Sequence, residues 1–130
     1  MPSNKPVYQK LGLKPDHHAV QLQVPSDALK SLGPLPAGCR IGRALVKDLD
    51  FILGFYESPK VLAADLARIK TGLKNSGMAW ICWKKGNVTD LSRDSIAAAA
   101  GTAGLEGVAT CSIDDRWSAL KLMHPKNERS

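Results

Sequence analysis

The apolar positions of this 130-residue chain fall into two kinds of pattern, one with the period of a strand and one with the period of a helix. From His18 to Val24 they alternate, with Val20, Leu22 and Val24 on one side and Ala19, Gln21 and Gln23 on the other. A period of two predicts a strand, whose successive side chains point to opposite faces. Pro25 ends it, and Ser26 is placed to cap a short helix that carries Leu29 and Leu32 and is closed by Gly33-Pro34. After the loop GPLPAGCRIG, Ile41–Val46 predicts a weaker second strand. Asp50–Tyr56 (DFILGFY) and Met78–Trp83 (MAWICW) are short, nearly continuous apolar runs, the pattern of strands covered on both faces in a parallel sheet. Gly54 in the first of them predicts a close approach of backbone or ligand.

The helical period appears at Leu62, Leu66, Ile69 and Leu73, behind a capping Ser58 and a first-turn Pro59, with Asn75-Ser76-Gly77 as its stop. Ser92 caps a second helix over Arg93–Ala103, whose Ala97–Ala100 run lets it lie close to a sheet, while Gly101 and Gly104 weaken its end. Leu105–Ile113 alternates again, Asp114-Asp115-Arg116 is a turn, and Trp117–Met123 is the final strand. These two strands lie too close in sequence for a helical crossover, so an antiparallel hairpin is expected. Val7, Tyr8, Leu11 and Leu13 form a short helical cluster at the start, stopped by Gly12 and Pro15, and His124–Ser130 reads as a polar tail.

Strands alternating with helices predict an α/β fold: a small three-layer domain with a mostly parallel sheet and a C-terminal antiparallel hairpin. The expectation is a single domain over residues 1–130, with about 1–6 and 125–130 as flexible ends. A globule of this length can bury roughly two-thirds of the surface its unfolded chain exposes, so it needs no disulfide or metal staples. Apolar residues at 44% and charged residues at 23% exclude wholesale disorder. No apolar run approaches the ~18 residues of a membrane span, and the opening MPSNKPVYQK lacks the apolar stretch of a secretory signal. A cytoplasmic chain is expected.

The formal charge is +6, which favours anionic partners through long-range attraction. The basic residues are scattered, however, with Lys84-Lys85 the only adjacent pair, and the three Trp, two Tyr and two Phe do not interleave with them. That distribution argues against nucleic acid, where a basic stripe with aromatics is expected. Cys39, Cys82 and Cys111 stand far apart and form no CxxC pair. Cys82 and Cys111 read as core residues, and Cys39 as a more accessible loop thiol. The rings of the His17-His18 doublet at a strand start point to opposite faces, which does not suit one metal ion, and no metal site is expected. There is no GxSxG, Walker loop, HExxH or GxGxxG, so no catalytic residue is assigned.

In open α/β sheets ligands bind beyond the carboxyl ends of the strands, where strand order reverses. The inferred topology gathers Ser26, Tyr56, Glu57, Ser58, Lys84, Lys85, Asp114 and Trp117 on that rim. Helix N-termini at Ser26 and Ser58 would favour an anion, with Lys84 or Lys85 adding a charge contact. The alternative is that the serines only cap, the lysines are solvated and Trp117 fills the core. Lys121, in the middle of an apolar strand, is expected to snorkel outward or to pair with an acid such as Asp114 or Asp90.

The strand–helix succession resembles Rossmann-like methyltransferase domains with some helices missing, and DLDFILGFYESPKVLAADLARIKTGLKNSGMAWICW is similar to the middle of such a domain. That resemblance implies a glycine-rich loop against S-adenosylmethionine after the first strand, and an acid on the ribose at the end of the second. Here the first strand runs into Val24-Pro25-Ser26-Asp27, and the second ends at Val46-Lys47, with Asp48 and Asp50 preceding the third strand. No cofactor is therefore expected. A closer resemblance is to a family of small bacterial proteins, a domain of unknown function of about this length. It is carried by KLGLKP at Lys10–Pro15, GPLP at Gly33–Pro36, the Trp-Lys-Lys and Thr-Asp-Leu within Trp83–Leu91, and the ending Asp114–Lys121 with its WSALK. The family implies a fold and no reaction. The preferred reading is a non-catalytic Rossmann-like module that binds an anionic small ligand or a protein partner. The alternatives are a reduced S-adenosylmethionine-dependent methyltransferase-like enzyme and, on net charge alone, weak nucleic-acid association.

Overall fold

The strands His18–Leu22 (β1), Arg40–Gly42 (β2), Leu49–Phe55 (β3), Leu73–Lys84 (β4), Glu106–Ser112 (β5) and Trp117–Met123 (β6) form one sheet in the order β2-β1-β3-β4-β6-β5. The computed structural model describes residues 7–25, 35–86 and 90–128, so the helix expected after Ser26 lies outside the described residues. The first four strands are parallel, β6 runs antiparallel to β4, and β5 pairs antiparallel with β6. The expected α/β fold with a closing antiparallel hairpin is thus the observed one.

Among the described residues, three α-helices flank the sheet: α1 (Val7–Lys10), α2 (Pro59–Gly72) and α3 (Arg93–Ala103). Helix α2 starts where the Ser58 hydroxyl accepts the Val61 N–H and Pro59 opens the first turn. Helix α3 starts with a reciprocal cap between Ser92 and Ser95 and ends at Gly104, whose φ of 90° is the left-handed conformation that suits a residue without a Cβ. One face of the sheet packs Val20, Ile52, Ile81 and Leu120 against Leu62, Leu66 and Ile69 of α2 and Ile96 and Ala100 of α3. The opposite face packs Ala19, Phe51, Leu53, Phe55 and Trp80 against Tyr8, Leu11 and Leu13. The Trp80 indole N–H donates to the Leu11 carbonyl at 2.8 Å and ties α1 to that second face.

Several expectations need correction. The second strand stops at Gly42 and not at Val46, because residues 43–48 leave the sheet to reach the start of β3, with Leu45 packed on the α2 face. Helix α2 ends at Gly72, where the Val46 carbonyl leaves no room for a Cβ, and β4 begins at once at Leu73. Asn75-Ser76-Gly77 is therefore a strand segment with a register shift against β3, and Gly77 sits 2.8 Å, at its missing Cβ, from the Leu49 carbonyl. The expected polar tail is packed: His124 is buried with Nε2 2.9 Å from the Leu73 carbonyl oxygen, and Glu128 pairs with Lys70 at 2.9 Å. Lys121, expected to snorkel outward or to pair with an acid, is half-buried with its ammonium 6.0 Å from the Trp80 ring centroid, so an aromatic face partners it. Cys39 is half-buried and its thiol donates to the Lys14 carbonyl at 2.8 Å, and Cys111 is half-buried where a core position was expected.

Candidate functional site

Strand order reverses between β1 and β3, and a cleft of about 320 Å³ opens at their carboxyl ends. Its described lining is Gln21, Leu22, Gln23 and Val24 from the end of β1, Arg43 just beyond β2, and Asp65 from α2. Gln23 holds a left-handed backbone with φ of 54°, which turns the chain out of the strand at the cleft's edge. The Gln21 amide nitrogen donates to the Tyr8 hydroxyl. Burial pushes the Tyr8 phenol up to about 12, so it stays a neutral hydrogen-bonding group.

Asp65 is the anionic wall. Its side chain is only 18% exposed, one oxygen accepts the Tyr56 hydroxyl at 2.7 Å, and the other lies 3.8 Å from the Arg68 guanidinium. Tyr56 is itself buried; burial first, and then the hydrogen bond to Asp65, push its phenol far above the ordinary range, so it acts as a fixed neutral donor. Its ring folds back over Gly54, where an added Cβ would stand 2.6 Å from a ring carbon. The close approach at Gly54 is made by this side-chain ring in place of the backbone or ligand expected there, because residues two apart along an extended chain share a face. Arg43 is the cationic wall: it is exposed, and among the described residues no carboxylate pairs with it.

The residues that the sequence places on the rim separate into groups. Tyr56 lies behind the cleft wall, bonded to Asp65. Ser58 caps α2. The Lys84 ammonium lies 2.8 Å from a Glu57 carboxylate oxygen and 5.7 Å from the centroid of the Trp117 ring, so its charge is already compensated. Trp117 is buried edge-on against Phe55, with ring centroids 5.0 Å apart. Asp114 shapes the β5–β6 turn by accepting the N–H groups of Arg116 and Trp117 at 2.8 and 2.9 Å. Lys85 donates to the Ser112 hydroxyl at 2.7 Å across the same turn. Ser26 lies outside the described residues. The described cleft lining includes none of these residues.

The motifs that carried the resemblance can now be placed: the Trp83 and Leu91 segment leads from β4 to α3, and Asp114–Lys121 is the β5–β6 turn with most of β6. Both fall within residues 46–126, which match the model of a family described as "Protein of unknown function (DUF3052)". The chain belongs to that family. KLGLKP and GPLP fall outside the matched span. No match was found among curated proteins. Among solved structures, the chain is similar to a SAM-dependent methyltransferase from Aquifex aeolicus, at 12% identity and a TM-score of 0.62, over 92% of this chain and 88% of that one. It is also similar to a TehB-like SAM-dependent methyltransferase from Corynebacterium glutamicum, at 15% identity and a TM-score of 0.57, over 85% and 82% of the two chains. A third is fibrillarin from Aeropyrum pernix, in complex with natively bound S-adenosyl-L-methionine, at 14% identity and a TM-score of 0.58, over 85% of this chain and 68% of that one. These likenesses establish a Rossmann-like, methyltransferase-type skeleton.

Among the described cleft residues, two features that the methyltransferase resemblance implies are absent. No glycine stands among the described residues 21–25 to let main chain approach a cofactor, and the acid expected at the end of β2 is replaced by Arg43. Asp50 does not substitute for it. It sits at the start of β3, at the other end of the sheet, where it accepts the His18 N–H at 2.9 Å and the Lys74 ammonium at 3.0 Å. Partial burial alone would raise its carboxyl, but these two partners outweigh that and hold it below the usual value of 3.8. Cys82 offers no nucleophile, since full burial, with Asp114 and Cys111 nearby, drives its thiol well up. Among the described residues no three His, Cys, Asp or Glu side chains converge as a metal site, and no helix is long and apolar enough to cross a membrane.

Sequence reasoning missed Gln21, Gln23, Arg43 and Asp65. Two signals pointed to them: Gln21 and Gln23 are polar residues at the carboxyl end of an otherwise apolar strand, and Asp65 directly precedes Leu66 on the helix's apolar stripe.

Proposed function

We propose that the chain is a non-catalytic Rossmann-like binding module whose switch-point cleft takes a small anionic ligand. The observation that carries this reading is Arg43, an exposed guanidinium that no carboxylate pairs among the described residues, on the wall of a cleft it shares with Gln21, Gln23 and Asp65. The formal charge of +6 adds long-range attraction for an anion. The three free cysteines fit a reducing compartment, so we place the module in the cytoplasm.

The test is a calorimetric titration of the full chain with orthophosphate, AMP, S-adenosylmethionine and its demethylated product. Saturable binding of orthophosphate and AMP is expected, lost in Arg43→Ala and retained when Lys84 and Lys85 are both changed to alanine. Failure of the parent to bind any phosphate-bearing ligand overturns the reading. The structural likeness to methyltransferases over most of the chain supports a second reading, a reduced S-adenosylmethionine-dependent enzyme. Tight binding of S-adenosylmethionine and its product that survives Arg43→Ala would establish that reading in place of the first.

A further inference from the structure

We propose that Asp65, held by the Tyr56 hydroxyl, is the hydroxyl-accepting wall of the cleft, and that its ligand is a small sugar phosphate with the phosphate at Arg43. This rests on the anion-binding reading above and specifies what else that ligand must carry.

Three elements combine to present Asp65. Gly54 of β3 has no Cβ and so admits the Tyr56 ring, the buried ring carries its hydroxyl to α2, and Asp65 accepts that hydroxyl at 2.7 Å while lining the cleft. Gly54 pairs with Leu22 of β1, which lines the same cleft, so the device is built at the switch point itself. A carboxylate accepts at roughly four lone-pair sites. The Tyr56 bond takes one of them and the Arg68 guanidinium stays 3.8 Å away, so Asp65 keeps acceptor capacity for a ligand donor.

The rest of the lining bears on which donor. Gln23 is exposed beside the cleft and offers both a donor and an acceptor. A hydroxyl group can satisfy a carboxylate and an amide together, since it donates to one and accepts from the other, and the Arg43 charge on the same cleft disfavours an ammonium in its place. Arg43 adds the contact that a planar guanidinium makes with phosphate oxygens. The cleft volume of about 320 Å³ lies at the small end of ligand sites, which run from roughly 300 to 1,000 Å³. That size admits a phosphorylated sugar.

The experiment is calorimetry on the full chain with ribose 5-phosphate, orthophosphate and AMP, in the parent, Asp65→Asn, Tyr56→Phe and Arg43→Ala, each checked for folding by circular dichroism. Asp65→Asn is nearly isosteric at a partly exposed position, so it reports even if Tyr56→Phe loosens the core. In the parent, ribose 5-phosphate should bind about tenfold more tightly than orthophosphate, the gain from one hydrogen bond to a charged group. Asp65→Asn and Tyr56→Phe should shrink that preference to within about threefold while orthophosphate still binds, and Arg43→Ala should lose both ligands. A preference that persists in Asp65→Asn, or AMP binding more tightly than ribose 5-phosphate, overturns the inference and leaves the anion site standing. Absence of binding by all three ligands overturns both.

Discussion

Replacing Gly54 by alanine tests the packing on which Asp65 depends. The new Cβ would stand 2.6 Å from one Tyr56 ring carbon and 3.4 Å from the next ring carbon and the hydroxyl oxygen. Carbon atoms pack at about 3.5–4.0 Å, so the ring must move by roughly 1 Å. It has little room to do so, because it is 1% exposed in a cluster with Leu62 and Leu66. If the ring stays, overpacking costs about 1–3 kcal/mol. If it swings away, the hydrogen bond to Asp65 goes, at about 1.5–3 kcal/mol for a charged acceptor. These are alternative routes and do not add. Alanine also recovers about 0.5–1 kcal/mol over glycine in a strand. The net loss should be about 1–2 kcal/mol, read from urea unfolding followed by far-ultraviolet circular dichroism. In a Tyr56→Leu background the same substitution should cost nothing or stabilise, because the ring it collides with is gone. An equal loss in both backgrounds, or no loss in the parent, would show that the Tyr56 ring does not depend on the missing Cβ.

Three other substitutions probe separate parts of the fold. Gly101→Ala lies inside α3 with nothing within 4 Å of the added carbon, and should stabilise the chain in thermal unfolding by about 0.5–1 kcal/mol; a loss would mean the helix is crowded there. Asp50→Asn should cost about 1–2 kcal/mol at neutral pH, since it weakens the bonds to the His18 N–H and Lys74. The Asp50 carboxyl is held below 3.8, so its contribution is full above that value and is lost as pH falls through the lowered one; the gap between parent and variant should therefore close in acid, and an undiminished gap would count against the charge. Trp80→Phe leaves the buried Leu11 carbonyl without its 2.8 Å donor, at about 1–3 kcal/mol. Amide hydrogen exchange at Leu11 and Leu13 should quicken in that variant, and unchanged protection there would show that α1 is held by apolar contact alone.

Most of the sheet was legible because its signals are local. The two apolar runs mark strands covered on both faces, the alternation in His18–Val24 and Leu105–Ile113 marks strands of period two, and the Ser58-Pro59 and Ser92 caps mark helix starts by their own hydrogen bonding. The errors arose where a partner distant in sequence decides the local structure. Asn75-Ser76-Gly77 has the composition of a turn, yet β3 recruits it as a strand because Gly77 fits under the Leu49 carbonyl. His124 reads as part of a polar end, yet the Leu73 carbonyl, 51 residues earlier, gives its ring a buried partner. The crevice was legible as a location, since strand order alone places it. Its lining was not, because Arg43 reaches it only when β2 stops at Gly42, and Asp65 only through its contact with Tyr56.

The short β2 has a consequence for chemistry. Residues 43–48 must return from the carboxyl end of β2 to the start of β3, and they do so without a helix, with Leu45 packed on the α2 face, whereas a parallel crossover usually contains one. Six such residues span roughly 20 Å, enough for a strand's length with nothing left for a helix. The first of them is Arg43, so the residue that begins the return is also the residue at the switch point. Shortening this crossover thus sets a cation where the methyltransferase-like pattern places an acid, and the carboxylate at the cleft comes from α2 instead. The position of the crevice follows from topology, and its charge follows from where one connection begins. This is how a methyltransferase-type skeleton, shared at 12–15% identity, can carry a differently charged crevice at the same topological position.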